Sequence, residues 1–219
     1  MASDTSATFL FADIAGFTAL TEAHGDEEAV ALVERFAEAV KRELPPMRGE
    51  YVKTVGDALM VRVPEAGDAV RLGLTITHGL IHGHEEPAVR VGLNSGPVVE
   101  RGGDYFGSTI NIAARVSALA SGGEVLVTGE TAARAPDLEG VFYESRGRQT
   151  LRNVAEPIEI FAAFPIQSTP DELAIDPVCH MAVDPDRAVG RLIHDSSAYF
   201  FCSLTCVAAF AQNPERYVR

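Results

Sequence analysis

Thr8-Phe9-Leu10-Phe11-Ala12-Asp13-Ile14-Ala15-Gly16-Phe17 is the stretch on which the reading of the whole chain turns. Its first half is an apolar run without alternation, the pattern of a central strand buried on both faces. Asp13 ends the run, and Gly16 follows where the chain has to turn. The backbone N–H groups from Ile14 to Phe17 then stand unpaired at a helix start, a setting that suits a triphosphate. Further out, Val30, Val33, Phe36, Val40 and Leu44 recur at helical spacing. Asp26 is the expected N-cap of that helix, Glu27 and Glu28 fall in its first turn, and Pro45-Pro46 stops it after Lys41 and Arg42. Tyr51–Val55 and Ala58–Val63 read as a hairpin with Gly56-Asp57 at its tip. A helix over 66–82, a strand over 88–94, a helix over 108–120 and a strand at Glu124–Thr128 are expected next. This order predicts an α+β sheet with helices on one face rather than a purely parallel fold.

If the first strand is central and the hairpin adjoins it, Asp13 and Asp57 project at one sheet edge. Paired carboxylates there can hold two hard cations, Mg²⁺ or Mn²⁺, roughly 3.5–4 Å apart, for an in-line displacement at phosphorus. Taken singly, Asp13 also reads as a helix cap and Asp57 as a turn residue.

Composition narrows the setting. The 219 residues are 47% apolar and 22% charged, enough for one ordinary domain plus a small appendage. No apolar run approaches the roughly 18 residues that a membrane span needs, and the first ten residues lack the pattern of a secretory signal. The expectation is a cytoplasmic protein with no membrane partner. A formal charge of −13 disfavours nucleic acid as a partner but not a nucleotide held by a few focused cations. The three cysteines, Cys179, Cys202 and Cys206, all fall near the C-terminus. An odd, clustered set points to a metal site rather than a disulfide framework, with buried reduced thiols as the other reading. Residues 166–173, polar and with two prolines across the junction from Phe164 to Glu172, read as a linker between domains at 1–165 and 174–219.

The strings FADIAGFTAL (11–20), KTVGDALM (53–60) and DYFGSTINIAARV (104–116) resemble, in order and separation, the catalytic segments of class III adenylyl cyclases. The likeness covers residues 7–164. It implies a ferredoxin-like palm core, a head-to-tail homodimer, sites built at the subunit interface, and conversion of ATP to cyclic AMP and pyrophosphate with two divalent ions. Carried over by position, it implies that Asp13 and Asp57 hold the metals with the Ile14 backbone, and that Gly16 and Phe17 face the triphosphate. It likewise implies that Lys53 and Asp104 read adenine, that Asn111 orients the ribose, and that Arg115 stabilises charge on the transferring phosphate. A lysine common late in the family's domain is replaced by Arg152, which keeps the charge with a different reach. A cyclase fold that is silent and only binds is the alternative from another functional class.

DPVCHM (176–181), YFFCSLTC (199–206), Phe210 and NPERY (213–217) resemble the YHS domain, thought to bind transition metals. Cys202 and Cys206 would share a helix face, with Cys179 folding back onto them. Zn²⁺ or Cu(I) is the expected ion, with His180 or His194 as a fourth ligand for zinc. His78 and His82 stand at i, i+4 near His84. That spacing can bind metal, although Gly83 and Glu85-Glu86 read as a solvated helix end.

Overall fold

The computed structural model describes residues 5–80, 88–166, 174–185 and 188–218. The chain begins with β1 (Thr5–Ile14), followed by α1 (Phe17–His24), α2 (Asp26–Glu43), β2 (Glu50–Val55), β3 (Ala58–Val63) and α3 (Ala66–Leu74). Next come β4 (Val89–Arg101), β5 (Asp104–Phe106), α4 (Ser108–Leu119), β6 (Val125–Thr128), α5 (Gly129–Arg134), β7 (Val141–Gln149) and β8 (Ile158–Pro165). A C-terminal module follows: β9 (Ala174–Ile175), β10 (Ala182–Val183), β11 (Gly190–His194), β12 (Ser197–Phe201) and α6 (Leu204–Gln212). No helix among the described residues is long and apolar enough to cross a membrane.

The main sheet runs β2-β3-β1-β4-β6-β8-β7, with β5 paired to β4. Its first four strands are antiparallel in the ferredoxin-like order, and β4 and β6 run parallel. β1 is central, as its apolar run implied, and the two faces of that run meet different layers. Leu10, Ala12 and Ile14 join a core with Leu32, Phe36 and Val40 of α2 and Val70 and Leu72 of α3. Phe9 and Phe11 join a second core with Tyr105 of β5 and Ile110 and Ala113 of α4. Helices on one face therefore describes the palm itself; α4 covers the other. Gly92 makes that close approach possible, since a Cβ there would overlap the Ser117 backbone of α4.

Several boundaries differ from the sequence expectation. Asp26 is the first helical residue of α2, and its N-cap is Gly25, whose φ of 90° breaks the path between α1 and α2. Val30 is 56% exposed, because the buried stripe runs through Ala29, Leu32, Phe36, Ala37 and Val40. The third helix stops as regular α at Leu74 and passes into a π-type turn over Thr75–Gly79. The core of the C-terminal module (Val178, Met181, Phe201, Phe210) is continuous with the core beneath α1 and α2. The expected linker lies, but for Ile166, outside the described residues.

Candidate active site

Strand register delivers the two carboxylates to one place. Asp13 is the residue after the last β1–β3 pair, Ala12 with Leu59, and Asp57 fills the hairpin turn beyond Val55 and Ala58. Arg90 stands directly across β4 from Asp13. Its guanidinium donates to Asp13 Oδ2 through Nε at 2.8 Å and through Nη2. The Asp57 carboxyl is pushed up to about 6, first by burial, then by its hydrogen bond to Asp13 and the charge of that neighbour. Its own backbone N–H and the Arg90 charge pull the other way. Two carboxylates held together against their repulsion, with one guanidinium bonded to Asp13 and only oxygen donors on offer, fit a hard dication and not a soft one.

The raised value has a consequence for the metal-free protein. A carboxyl whose folded pKa lies above its unfolded 3.8 favours folding fully only at pH below that value, and the contribution is lost as pH rises through about 6. Asp57→Asn does not titrate. In the presence of a chelator the variant is expected to melt above wild type at pH 7, with the difference closing towards pH 4. Thermal melts across that range check this; a wild type as stable as the variant at neutral pH would contradict it.

A second group lies on the face of the sheet that carries α4. Lys53 pairs in register with Met60, which packs in the core with Phe9 and Phe11. Its Nζ donates to Asp104 Oδ2 at 2.6 Å, and Asp104 Oδ1 accepts the Tyr105 N–H at 2.8 Å. These bonds, Lys53 first, hold the Asp104 carboxyl below its usual range. The Tyr105 hydroxyl donates to Glu50 Oε2 at 2.7 Å, and its ring meets Phe9 edge-on at 5.3 Å, so the short β4–β5 hairpin is anchored against β2.

The third group is on α4. Ile110, Ala113 and Val116 face inward, which turns Asn111 outward; Arg115, one turn later, donates from Nη1 to the Asn111 carbonyl at 3.1 Å. The loop with Arg152 packs beside this helix, since Leu151 and Val154 share a core with Ile112 and Val116. Arg152 itself is exposed. Among the described residues, no hydrogen bond or ion pair links the Asp13–Asp57–Arg90 group with the Lys53–Asp104 pair or with Asn111 and Arg115. Gly16, at φ 71°, caps α1, with its carbonyl accepting from the Leu20 N–H at 3.0 Å and Phe17 opening the helix. A Cβ at Gly16 would overlap the imidazole of His180, which lies against the turn.

The cysteines also converge. Cys179 Sγ is 3.4 Å from Cys202 Sγ, which is 3.9 Å from Cys206 Sγ. All three are free thiols and buried. The Cys206 thiol is held well below its usual range by hydrogen bonds from Cys179 and then Cys202, while Cys179 is pushed up by its bonds to Cys202 and then Cys206, and by burial. Neither expected histidine joins them. His180 packs on Gly16, while His194 sits edge-on to Phe210 at 6.1 Å with its Nε2 3.5 Å from Asp195. The histidine in the cluster is His24, the last residue of α1, whose Nε2 is 3.6 Å from Cys202 Sγ. His78 shares a 2.8 Å hydrogen bond with Thr77 Oγ1; His82 and His84 lie outside the described residues. Sequence reading missed Arg90 and His24, because each acts through a residue distant in the chain.

Comparison with known proteins gives a consistent picture. The Adenylate and Guanylate cyclase catalytic domain family matches residues 1–162, and the YHS domain matches 174–219. A pH-sensitive adenylate cyclase of Mycobacterium tuberculosis is 34% identical over 157 residues, covering 70% of this chain and 39% of that protein. An adenylate cyclase of Streptomyces coelicolor is 40% identical over 118 residues, 53% of this chain and 31% of the relative. The chain thus spans roughly a third of the length of these relatives. A solved adenylate/guanylate cyclase/hydrolase from Silicibacter pomeroyi superposes with a TM-score of 0.65 at 27% identity, over 73% of this chain and 96% of that one.

Proposed function

The chain belongs to the adenylate and guanylate cyclase catalytic-domain family and ends in a YHS domain, and from that premise we propose that it is an adenylate cyclase. The reaction joins the ribose 3′-oxygen of ATP to its own α-phosphorus, expelling pyrophosphate and giving 3′,5′-cyclic AMP. The observation that carries the choice of base is the Lys53–Asp104 pair. Adenine offers a donor at its 6-amino group, which Asp104 accepts, and an acceptor at N1, to which a free Lys53 N–H donates. Guanine reverses both. Two mismatches at about 1–3 kcal/mol each would disfavour GTP by about a hundredfold or more.

The remaining roles follow from the three groups. Asp13 and Asp57, with the Ile14 carbonyl, would hold Mg²⁺ or Mn²⁺, and two such ions would supply acidification of the 3′-hydroxyl and charge neutralisation for the leaving pyrophosphate. The Gly16 and Phe17 N–H groups face the triphosphate. Asn111 orients the ribose, Arg115 meets charge that develops on the phosphate, and Arg152 holds phosphate oxygens. We infer a homodimer in which each site takes Asp13 and Asp57 from one chain and Lys53, Asp104, Asn111 and Arg115 from its partner. That no hydrogen bond or ion pair among the described residues joins these groups within one chain supports this division. The reading places the enzyme in the cytoplasm and gives the YHS module a regulatory role through its metal.

Incubating the full chain with ATP or GTP and Mg²⁺ or Mn²⁺, then identifying the product, tests the proposal. Cyclic AMP from ATP, with little cyclic GMP, is expected; no cyclic product from either would leave a nucleotide-binding protein without catalysis. Lys53→Glu combined with Asp104→Gly is expected to lower kcat/KM for ATP by about a hundredfold or more. Retained ATP turnover in that double variant would overturn the account of base recognition.

A further inference from the structure

We propose that His24 of the catalytic domain and Cys179, Cys202 and Cys206 of the C-terminal module form a single Cys₃His zinc site, whose filling fixes helix α1 and the nucleotide-binding turn that begins it. The second half of this statement rests on the reading of Gly16 and Phe17 as substrate contacts; the first half does not.

The four donor atoms lie within 4.8 Å of one another. A tetrahedral zinc with Zn–S of about 2.3 Å and Zn–N of about 2.0 Å has S–S edges of roughly 3.8 Å and S–N edges of roughly 3.5 Å. Three of the six separations, 3.4 and 3.9 Å between sulfurs and 3.6 Å from Cys202 Sγ to His24 Nε2, fall within about 0.4 Å of those edges. Each ligand is also held by the fold. Asp176 is wholly buried; its Oδ1 accepts from Val178 N–H at 2.9 Å and Cys179 N–H at 3.4 Å, and its Oδ2 from Cys202 N–H at 2.8 Å. One carboxylate therefore shapes both cysteine loops. Ser203 caps α6 by accepting from the Cys206 N–H at 3.2 Å. Three thiolates alone would suit a soft ion; the nitrogen from His24 makes the set one that structural zinc favours.

The site is wired to the substrate turn at both ends of α1. That helix has eight residues and fully buries one of them, Leu20, while Phe17 and Ala23 pack half-buried against the same core. His24 at its C-terminal end reaches the thiols. At its N-terminal end, His180, next in sequence to Cys179, lies against Gly16, and its carbonyl accepts the Ala88 N–H at 2.9 Å. Ala88 in turn accepts the Ala15 N–H at 2.8 Å. An ion that binds His24 and Cys179 together holds α1 from both ends. It favours the ordered turn to the extent that it binds that arrangement more tightly than a loosened one.

Co²⁺ titrated into metal-free full-length protein tests the site, because sulfur-to-cobalt charge transfer reports thiolate ligation without reference to catalysis. One ion per chain with a tetrahedral S₃N spectrum is expected. His24→Ala should shift the ligand-field bands and weaken Zn²⁺ competition by at least about tenfold, with His24→Gln, a milder change, doing the same. His194→Ala should do neither. If both His24 variants match wild type in spectrum and affinity, the interdomain site is wrong. For the coupling, backbone amide exchange over residues 16–24 should slow on adding Zn²⁺ to wild type and stay unchanged in His24→Ala; equal slowing in both would overturn it. A cobalt spectrum that depends on His24 in a protein without cyclase activity would sink the catalytic reading and leave this site standing.

Discussion

Replacing Asp57 by alanine is expected to lower kcat for cyclic AMP formation by about 10³ or more while leaving the fold intact. Asp57 and Asp13 are the carboxylates that register brings together at the end of β1, and in the proposed mechanism they hold two dications between them. Losing one removes several kcal/mol of charge stabilisation on the leaving pyrophosphate, and each 1.4 kcal/mol is worth about tenfold in rate. The same substitution removes a carboxyl that repels its neighbour in the metal-free state, so melting should not fall. That combination, lost activity with retained or raised stability, separates a functional aspartate from a structural one. A kcat within tenfold of wild type would remove Asp57 from the metal site. Asp13→Ala should match it in activity, but it also strands the Arg90 guanidinium that now donates to Asp13 Oδ2, so its stability should drop.

Arg115→Ala should lower kcat by about 10²–10³ with a much smaller change in KM. The side chain emerges from the outer face of α4, and among the described residues it donates to the Asn111 carbonyl, a turn earlier. Nothing in the packing of α4 depends on the guanidinium, because Ile110, Ala113 and Val116 supply the buried face. A loss of this size would therefore come from a contact made in the transition state. Steady-state kinetics with ATP, alongside a melt to show that the variant is folded, decide the matter. An unchanged kcat would exclude Arg115 from the reaction.

The parts of this fold legible in the sequence are those where local pattern and burial coincide. The run ending at Ala12 announced a strand covered on both sides, and Phe9 and Leu10 do point into different cores. Gly56-Asp57 between two β-prone runs located the hairpin tip, and the spacing of α4 was recovered within a residue. Less legible was whatever depends on a partner far along the chain. On α2 the buried stripe starts at Ala29 and Leu32 and leaves Val30 exposed, a choice that depends on the sheet core the helix packs against. Arg90 is a charged residue in the apolar first half of β4, and only the β1–β4 register shows that it faces Asp13. His24 stands 178 positions from Cys202, so no motif spacing could have joined them. His180 and His194 were nearer in sequence, but packing against Gly16 and Phe210 directs them elsewhere.

The central claim is that an adenylate cyclase site is divided between two copies of this chain. Equal amounts of Asp57→Ala and Arg115→Ala chains, each inactive alone, should be unfolded together, refolded and assayed with ATP and Mg²⁺. In a mixed dimer, one site inherits both lesions and the other inherits neither. Random pairing makes about half of the dimers mixed, so cyclic AMP formation should recover to about a quarter of the wild-type rate. Mixed dimers demonstrated by mass, with activity no higher than either parent, would contradict the account.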